Sequence, residues 1–371
     1  MGIETLLFKK ELERQDIIEL LGASSKEEYE LIREAAFNVM KANCGEKVYL
    51  RGLIEFSNLC INDCYYCGIR KSNHNVSRYT LNKDEILSAA VWSAEQGYGS
   101  VVLQSGERND DKFVNYVEEL VFLIKEKTSS TFLPDGVGIT LCVGEQTSET
   151  YKRFFDAGAH RYLLRIETSN PVLFSEIHPE SINFENRLHC LEILKEIGFQ
   201  VGTGVMIGIP NQTLEDLADD ILFFREMNID MIGMGPYIVH SQTPMSHLQY
   251  LYAGKKEDNY KLSLNMIAVT RLVLKDVNIA STTALQAMYA MGREAGLMHG
   301  ANIIMPMLTP TELRKEFQLY DGKPCIDEFS NDCFDCIQRR IESIGRSVAL
   351  NEWGDSKHFA NRKIVALSED K

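Results

Sequence analysis

The sequence of 371 residues predicts an α/β protein built on a (β/α)8 TIM barrel. Three observations lead to this prediction. Eight short segments rich in β-branched residues recur along the chain, segments with helical periodicity separate them, and polar residues gather where the β-branched segments end. Strands that alternate with helices form parallel sheets. Polar strand ends favour a closed barrel, because catalytic side chains collect at the carboxyl ends of barrel strands.

The predicted strands cover residues 48–57, 100–106, 138–144, 161–168, 200–208, 231–238, 278–284 and 301–306. Several of the intervening helices end at glycine, which readily adopts the left-handed conformation of a helix stop. We expect an N-terminal helical extension over residues 1–45, the barrel over residues 46–310, and a cysteine-containing C-terminal tail over residues 311–371. The amphipathic helices of the extension are expected to plug or cap the barrel.

Composition excludes several functions. The net charge of -14 argues against binding to nucleic acids or anionic membranes, since both require clustered Lys and Arg. No apolar run is long enough to span a membrane, and the start of the chain lacks the apolar core of a secretory signal. We therefore expect a cytoplasmic protein. In that compartment thiols stay reduced, so the nine cysteines are interpreted as metal ligands or buried thiols rather than disulfides.

Cys60, Cys64 and Cys67 follow the first predicted strand with the spacing C-x3-C-x2-C. A structural zinc site has four ligands, and a [4Fe–4S] cluster bound by four cysteines is closed in the same way. Three thiolates leave one iron open, and that iron can bind a substrate or cofactor directly. A zinc site completed by a distant residue such as His74 is the alternative.

A second group, Cys325, Cys333 and Cys336, has the spacing C-x7-C-x2-C and lies in the tail. It could bind an auxiliary iron–sulfur cluster or a zinc ion, or it could cross-link the tail.

The motif "CINDCYYC" resembles the radical S-adenosylmethionine (SAM) superfamily. The resemblance implies a [4Fe–4S] cluster that binds SAM and cleaves it reductively to methionine and a 5′-deoxyadenosyl radical. It also implies roles for residues that bind the cofactor. Glu107, with Ser105 in "QSGE", would bind the SAM amino group, and Arg187 its carboxylate. Glu167 would contact the ribose, while Met206 and Pro210 in "GVMIGIP" would lie along the adenine. Tyr66 would pack on the adenine or seal the cluster from water.

Further segments, among them "IEFSNLCINDCYYCGIRKSN", "RYLLRIETSNPVLF" and "GIPNQTLEDLADDILF", resemble the HydE family of [FeFe]-hydrogenase maturases, in the branch of biotin synthase and methylornithine synthase. The resemblance implies a small organometallic or sulfur-bearing substrate in the lumen, near Arg165, Thr282 and Thr283. It also implies a flavodoxin- or ferredoxin-type reductant and contact with other maturases.

One position departs from the family pattern. Ile166 stands where the family usually has His, so we expect a pocket imidazole to be missing. A paralogue or a methylornithine-type mutase that acts on another small molecule therefore stays open. A non-enzymatic iron–sulfur carrier is the alternative of another class.

Overall fold

The computed structural model describes residues 2–327 and 330–369, without the side chains of residues 330–333 and 365–369. Its strands are β1 (Lys47–Ser57), β2 (Ser100–Ser105), β3 (Gly138–Cys142), β4 (Arg161–Leu163), β5 (Gln200–Thr203), β6 (Met206–Ile207), β7 (Met231–Pro236), β8 (Asn278–Ser281), β9 (Ile303–Ile304) and β10 (Ser347–Ala349). Strands β1 to β5 and β7 to β9 pair in that order, and β9 pairs with β1. This closed parallel ring confirms the predicted barrel.

Most of the predicted strands are shorter in the structure, and two of them depart from the prediction in a way that shapes the site. The segment predicted at 161–168 is a strand only over Arg161–Leu163, and the one predicted at 200–208 divides into β5 and β6. The backbone leaves regular strand geometry because Glu167 has a φ of 66°, in the left-handed region. The chain thereby turns at the carboxyl end of β4, where the polar residues lie.

The helices are α1 (Ile3–Leu7), α2 (Arg14–Leu21), α3 (Lys26–Cys44), α4 (Lys83–Glu95), α5 (Asp111–Lys127), α6 (Ser148–Asp156), α7 (Pro171–Ile177), α8 (Phe184–Ile197), α9 (Leu214–Glu226), α10 (Lys256–Val273), α11 (Thr283–Met288), α12 (Gly292–Met298), α13 (Thr311–Arg314), α14 (Ser330–Ser343) and α15 (Lys357–Glu369), with a 3₁₀ helix at Pro244–Tyr252. Local sequence sets many of their ends. Ser25 and Asn82 cap α3 and α4 through capping boxes, and α8 stops at Gly198 with a φ of 107°.

Successive side chains of β1 point alternately into the main core and into the lumen of the barrel. Ile54 and Phe56 are fully buried in the core between strands and helices. Their neighbours Leu53 and Glu55 line a cavity inside the barrel instead. Successive side chains of a strand point to opposite faces, so one strand contributes to both environments.

The N-terminal helices pack beside the barrel, against α9 and α10. The tail covers the amino-terminal end of the strands instead. There the backbone carbonyl of Trp353 accepts hydrogen bonds from Ser100 and Arg161, and that of Gly354 accepts hydrogen bonds from Arg51 and Asn278. The carbonyls of the tail thus provide acceptors for buried donor groups at this end of the barrel. The expectation that the N-terminal extension closes the barrel is therefore wrong.

Within the described residues, no helix has the length and apolar character needed to cross a membrane.

His160, beside this tail segment, predicts a pH dependence of stability. Burial, aided by the charge of Arg161, lowers the pKa of His160 to about 4. An unfolded histidine titrates near 6.5. Between these values the unfolded chain binds a proton that the folded chain lacks, so the free energy of unfolding falls as the pH is lowered from about 6.5 to about 4. His160→Gln should remove up to about 1.4 kcal/mol per pH unit from that slope.

Urea denaturation across this pH range measures the slope. His189→Gln is the matched control, because the His189 side chain is 66% exposed. Equal slopes in the wild type and His160→Gln would contradict the prediction.

Candidate active site

The loop that carries Cys60, Cys64 and Cys67 is held by two buried or half-buried side chains. The Arg78 guanidinium donates hydrogen bonds to five backbone carbonyls of the loop, from residue 58 to residue 73. The fully buried Asn58 binds the carbonyls of Ser77 and Glu316. These contacts fix a loop without regular secondary structure at the carboxyl end of β1. Arg78 was not among the predicted site residues, although it is the loop's main organiser.

The three thiols converge inside this loop. Burial raises the pKa of Cys64 well above its usual value, and the charges of Cys67 and Cys60 raise it further. Burial also raises the pKa of Cys67 to about 12, with a contribution from Cys60. The sulfurs therefore lie within electrostatic reach of one another. Without a cation the thiols would stay protonated, so binding of iron has to displace their protons.

The zinc alternative requires a fourth ligand in addition to the three thiols. His74, the suggested fourth ligand, is exposed. A [4Fe–4S] cluster bonds each thiolate to a different iron, so three thiols hold it with one iron left open.

Two glycines allow the predicted residues of strands β2 and β3 to approach the loop. A Cβ atom on Gly106 would lie 2.7 Å from the Cβ of Cys60, and one on Gly144 would lie 2.2 Å from the Cγ of Glu107. Glu107 accepts a hydrogen bond from the backbone N–H of Glu145 at 2.9 Å. Burial raises its pKa. Ser105 binds the carbonyl of Gly106 at 2.7 Å, so its hydroxyl is engaged within the turn.

Arg187, on α8, reaches this region from the neighbouring side. It is 6% exposed, donates from Nε to Glu145, and donates from Nη1 to the carbonyl of Arg165 at 2.6 Å. Burial opposes its charge, but the carboxylates of Glu145 and Glu107 outweigh burial and raise the pKa of Arg187. Sequence reasoning did not assign Glu145 to the site, although Glu145 directly follows a predicted strand, 138–144.

Aromatic and apolar residues form a wall next to the loop. The Tyr66 hydroxyl lies 3.3 Å from Nε2 of His178, and burial lowers the pKa of His178 to about 4, so this imidazole is neutral. Met206 packs in a small apolar cluster that includes Tyr66 and Tyr65. Pro210 lines a separate pocket of about 160 Å³, which Tyr65 also lines.

Arg165 and Glu167 form a paired unit at the end of β4. Nε of Arg165 donates to both carboxylate oxygens of Glu167, at 2.9 and 3.0 Å, and Nη2 donates to Oε2 at 2.9 Å. The remaining contacts of the guanidinium reach the carbonyls of Gly233 and Val205. Both predicted residues are therefore committed to each other and to the backbone.

A cavity of about 220 Å³ occupies the carboxyl half of the barrel. Predicted residues on its wall are Tyr66, Arg165, Glu167, Met206, Thr282 and Thr283. Residues that sequence reasoning did not assign to it include Glu55, Gln104, Cys142, Tyr320 and Lys323. Alternation along β1 to β3 could have identified the first three. Tyr320 and Lys323 come from the tail, and no local pattern indicates that the tail reaches the lumen.

Ile166 does not line this cavity. It is fully buried in the main hydrophobic core, while its neighbours Arg165 and Glu167 face the lumen. The expectation that this position contributes to the pocket is wrong for Ile166, because the chain leaves strand geometry after Leu163 and its side chain packs into the core before the turn at Glu167.

The second cysteine group is only partly described. Cys325 has a φ of 61°, and its sulfur accepts contacts from Gln286 and Arg293 at 3.8 Å. Cys336 lies on α14, and the side chain of Cys333 lies outside the described residues. An auxiliary cluster at this group stays a prediction.

Comparisons with known proteins agree with these features. Residues 54–224 match the family model of the radical SAM superfamily. The chain is 40% identical, over 95% of its length and 96% of the relative, to the [FeFe] hydrogenase maturase subunit HydE of Thermotoga maritima. It is 25% identical to the 3-methylornithine synthase of Methanosarcina acetivorans, over 91% of each chain. A crystal structure of methylornithine synthase superposes with a TM-score of 0.78 at 24% identity, covering 98% of this chain and 99% of that one.

The Arg165–Glu167 pair generates a prediction about stability. Glu167 is almost fully buried, so Arg165→Met should leave a carboxylate without its partner and lower the free energy of unfolding by about 3 kcal/mol. The double variant Arg165→Met/Glu167→Met should recover part of this loss, since no charge is then left unpaired. Urea denaturation of the four proteins of this cycle measures the coupling. Additive losses would mean that the two side chains do not depend on each other.

Proposed function

The chain belongs to the radical SAM superfamily and, within it, to the HydE family, and from this premise we propose that it is a SAM-dependent iron–sulfur enzyme that acts in [FeFe]-hydrogenase maturation. Its loop of three cysteines carries this proposal, because the loop lies beside a half-buried carboxylate and a buried guanidinium at the mouth of a closed barrel. The 40% identity to a HydE protein extends over nearly the whole chain.

Cys60, Cys64 and Cys67 would hold a [4Fe–4S] cluster. The bound cluster supplies an electron that cleaves SAM reductively and yields a 5′-deoxyadenosyl radical. The chain's own residues keep the cluster loop folded through Arg78 and close it against Gly106. The wall of Tyr66 and Met206 excludes water from the same region, which protects reactive species.

Glu107 and Arg187 would bind the amino and carboxylate groups of SAM. Support comes from the burial of Arg187 and from Glu145, which links the two residues: its backbone N–H donates to Glu107 and its side chain accepts from Arg187. A carboxylate beside a guanidinium complements the zwitterionic end of an amino acid. Glu145 orients Arg187 through Nε and the Arg165 carbonyl engages Nη1, which leaves Nη2 for a ligand. Ser105, Glu167 and Pro210 are proposed as further contacts of the same cofactor.

The lumen cavity would hold the substrate, a small organometallic or sulfur-bearing molecule, near Arg165, Thr282 and Thr283. A paralogue or methylornithine-type mutase that acts on another small molecule stays the alternative, since residue 166 is Ile. A carrier without enzymatic activity would have no use for the half-buried Glu107 and the buried Arg187.

We further propose a cytoplasmic location, a flavodoxin- or ferredoxin-type reductant and contact with other hydrogenase maturases. The free cysteines of the described chain favour a reducing compartment. A second cluster at Cys325, Cys333 and Cys336 remains part of this proposal.

Cys64→Ala should abolish cleavage of SAM, because the cluster would lose one of its three ligands. Anaerobic reconstitution with iron and sulfide, followed by SAM and dithionite, allows iron content and 5′-deoxyadenosine to be measured together. Cys336→Ala is the matched control and should retain most of the 5′-deoxyadenosine. Full activity in Cys64→Ala would refute the cluster assignment, and a wild type that forms no 5′-deoxyadenosine would favour a carrier.

Arg187→Ala should weaken SAM binding by about 30-fold or more, since truncating a buried charge partner costs at least about 2 kcal/mol. Anaerobic calorimetry on the reconstituted, unreduced protein gives the dissociation constant. Arg153→Ala is the control, because Arg153 forms a half-exposed pair with Glu118 on the outer helices. Unchanged affinity in Arg187→Ala would remove this residue from the proposed SAM site.

A further inference from the structure

An ion pair that the proposed SAM site does not use lies inside the cavity. Nζ of Lys323, from the tail, is 2.5 Å from Oε1 of Glu55 on β1. The side chains are only 5% and 3% exposed. The same Nζ donates to the backbone carbonyl of Phe317 at 2.8 Å. The pair therefore joins the barrel wall to the segment that follows the barrel.

This pair is incompletely satisfied. Oε2 of Glu55 is buried and has no hydrogen-bond partner among the described residues. The Lys323 ammonium has three donors, and two of them are engaged by Glu55 and Phe317. Both residues line the cavity. A buried carboxylate oxygen without a donor is costly, so this position favours a ligand that supplies one.

Lys323 is held in place by the segment around it. The carbonyl of Leu319 accepts a hydrogen bond from the N–H of Gly68 in the cysteine loop, at 3.1 Å. The Tyr320 hydroxyl is 2.9 Å from Oγ1 of Thr283. The tail segment is thus fixed against both the cysteine loop and α11, and the position of the ammonium is defined before any ligand binds.

The charges on the cavity wall balance. Its lining contains two acids, Glu55 and Glu167, and two bases, Arg165 and Lys323. Arg165 and Glu167 are engaged with each other. A ligand that brought only one charge would leave a net charge in a medium of low dielectric constant, which is unfavourable. A zwitterion adds no net charge.

We propose that Glu55 is a specificity-determining residue that receives the protonated amine of a small zwitterionic substrate at Oε2. Lys323 holds Oε1 of Glu55 in place, and its third ammonium donor binds the acid group of the same molecule. The inference rests on the proposed function, because it takes the cavity to be the substrate site. The amine and the acid group bind side by side, as the adjacent Oε2 and Nζ require.

The test uses the holoenzyme, reconstituted with its cluster and SAM and left unreduced so that no turnover occurs. L-2-aminobutyrate, butyrate and propylamine are titrated separately by ligand-observed NMR. The wild type should bind L-2-aminobutyrate at least tenfold more tightly than either of the other probes. Glu55→Gln keeps the shape but removes the charge, and it should lose this preference. Lys323→Met should lose it as well, and it provides a second variant should Glu55→Gln fail to fold.

Asp230→Asn is the matched control. It removes a fully buried carboxylate that pairs with Arg362 at the opposite end of the barrel, so it should keep the wild-type preference. Equal binding of the three probes, no saturable binding of L-2-aminobutyrate, or an unchanged preference in Glu55→Gln would overturn the inference. The proposed function is judged separately, by 5′-deoxyadenosine formed when the same wild-type preparation is reduced. Its formation alongside a failed titration would reject the inference alone.

Discussion

Charge pairing at the carboxyl end of a closed barrel is the constraint on which the rest of the site depends. An unpaired ion is strongly disfavoured where little water reaches, so each buried ion has to lie near an opposite charge. Arg187 meets Glu145, and Arg165 meets Glu167. The first pair joins α8 to the segment after β3, and Arg165 also donates to the carbonyls of Gly233 and Val205 on neighbouring segments. The pairs also leave defined donors and acceptors unused, which makes the region suitable for charged ligands.

The tail is part of the active region, although it follows the barrel in sequence. One tail segment covers the amino-terminal end of the strands, and residues 316–323 reach the opposite end. There Lys323 enters the lumen, while the carbonyl of Glu316 accepts a hydrogen bond from Asn58 in the cysteine loop. A change in this segment would therefore affect both the loop and the cavity. Cys325, the first cysteine of the second group, follows Lys323 by two residues and therefore lies next to the segment 316–323.

The cysteine loop and the cavity share one wall, which links cofactor chemistry to the substrate. Tyr66 belongs to the loop and also lines the cavity. Its neighbour His178 is neutral, so the hydroxyl of Tyr66 faces an uncharged imidazole. A wall without net charge suits a site in which reactive intermediates have to be kept from water and from unwanted proton transfer.

The sequence by itself determined the barrel, because the alternation of strands and helices is a local pattern, and it determined the cysteine loop, because the spacing lies within eight residues. It also predicted roles for Glu107 and Arg187 through a family resemblance. Only the tertiary structure decided which way Ile166 faces, since the strand ends at Leu163 and the turn at Glu167 follows. The pairing of Glu55 with Lys323 likewise could not be predicted, because it joins residues 268 positions apart and no local pattern encodes such a contact.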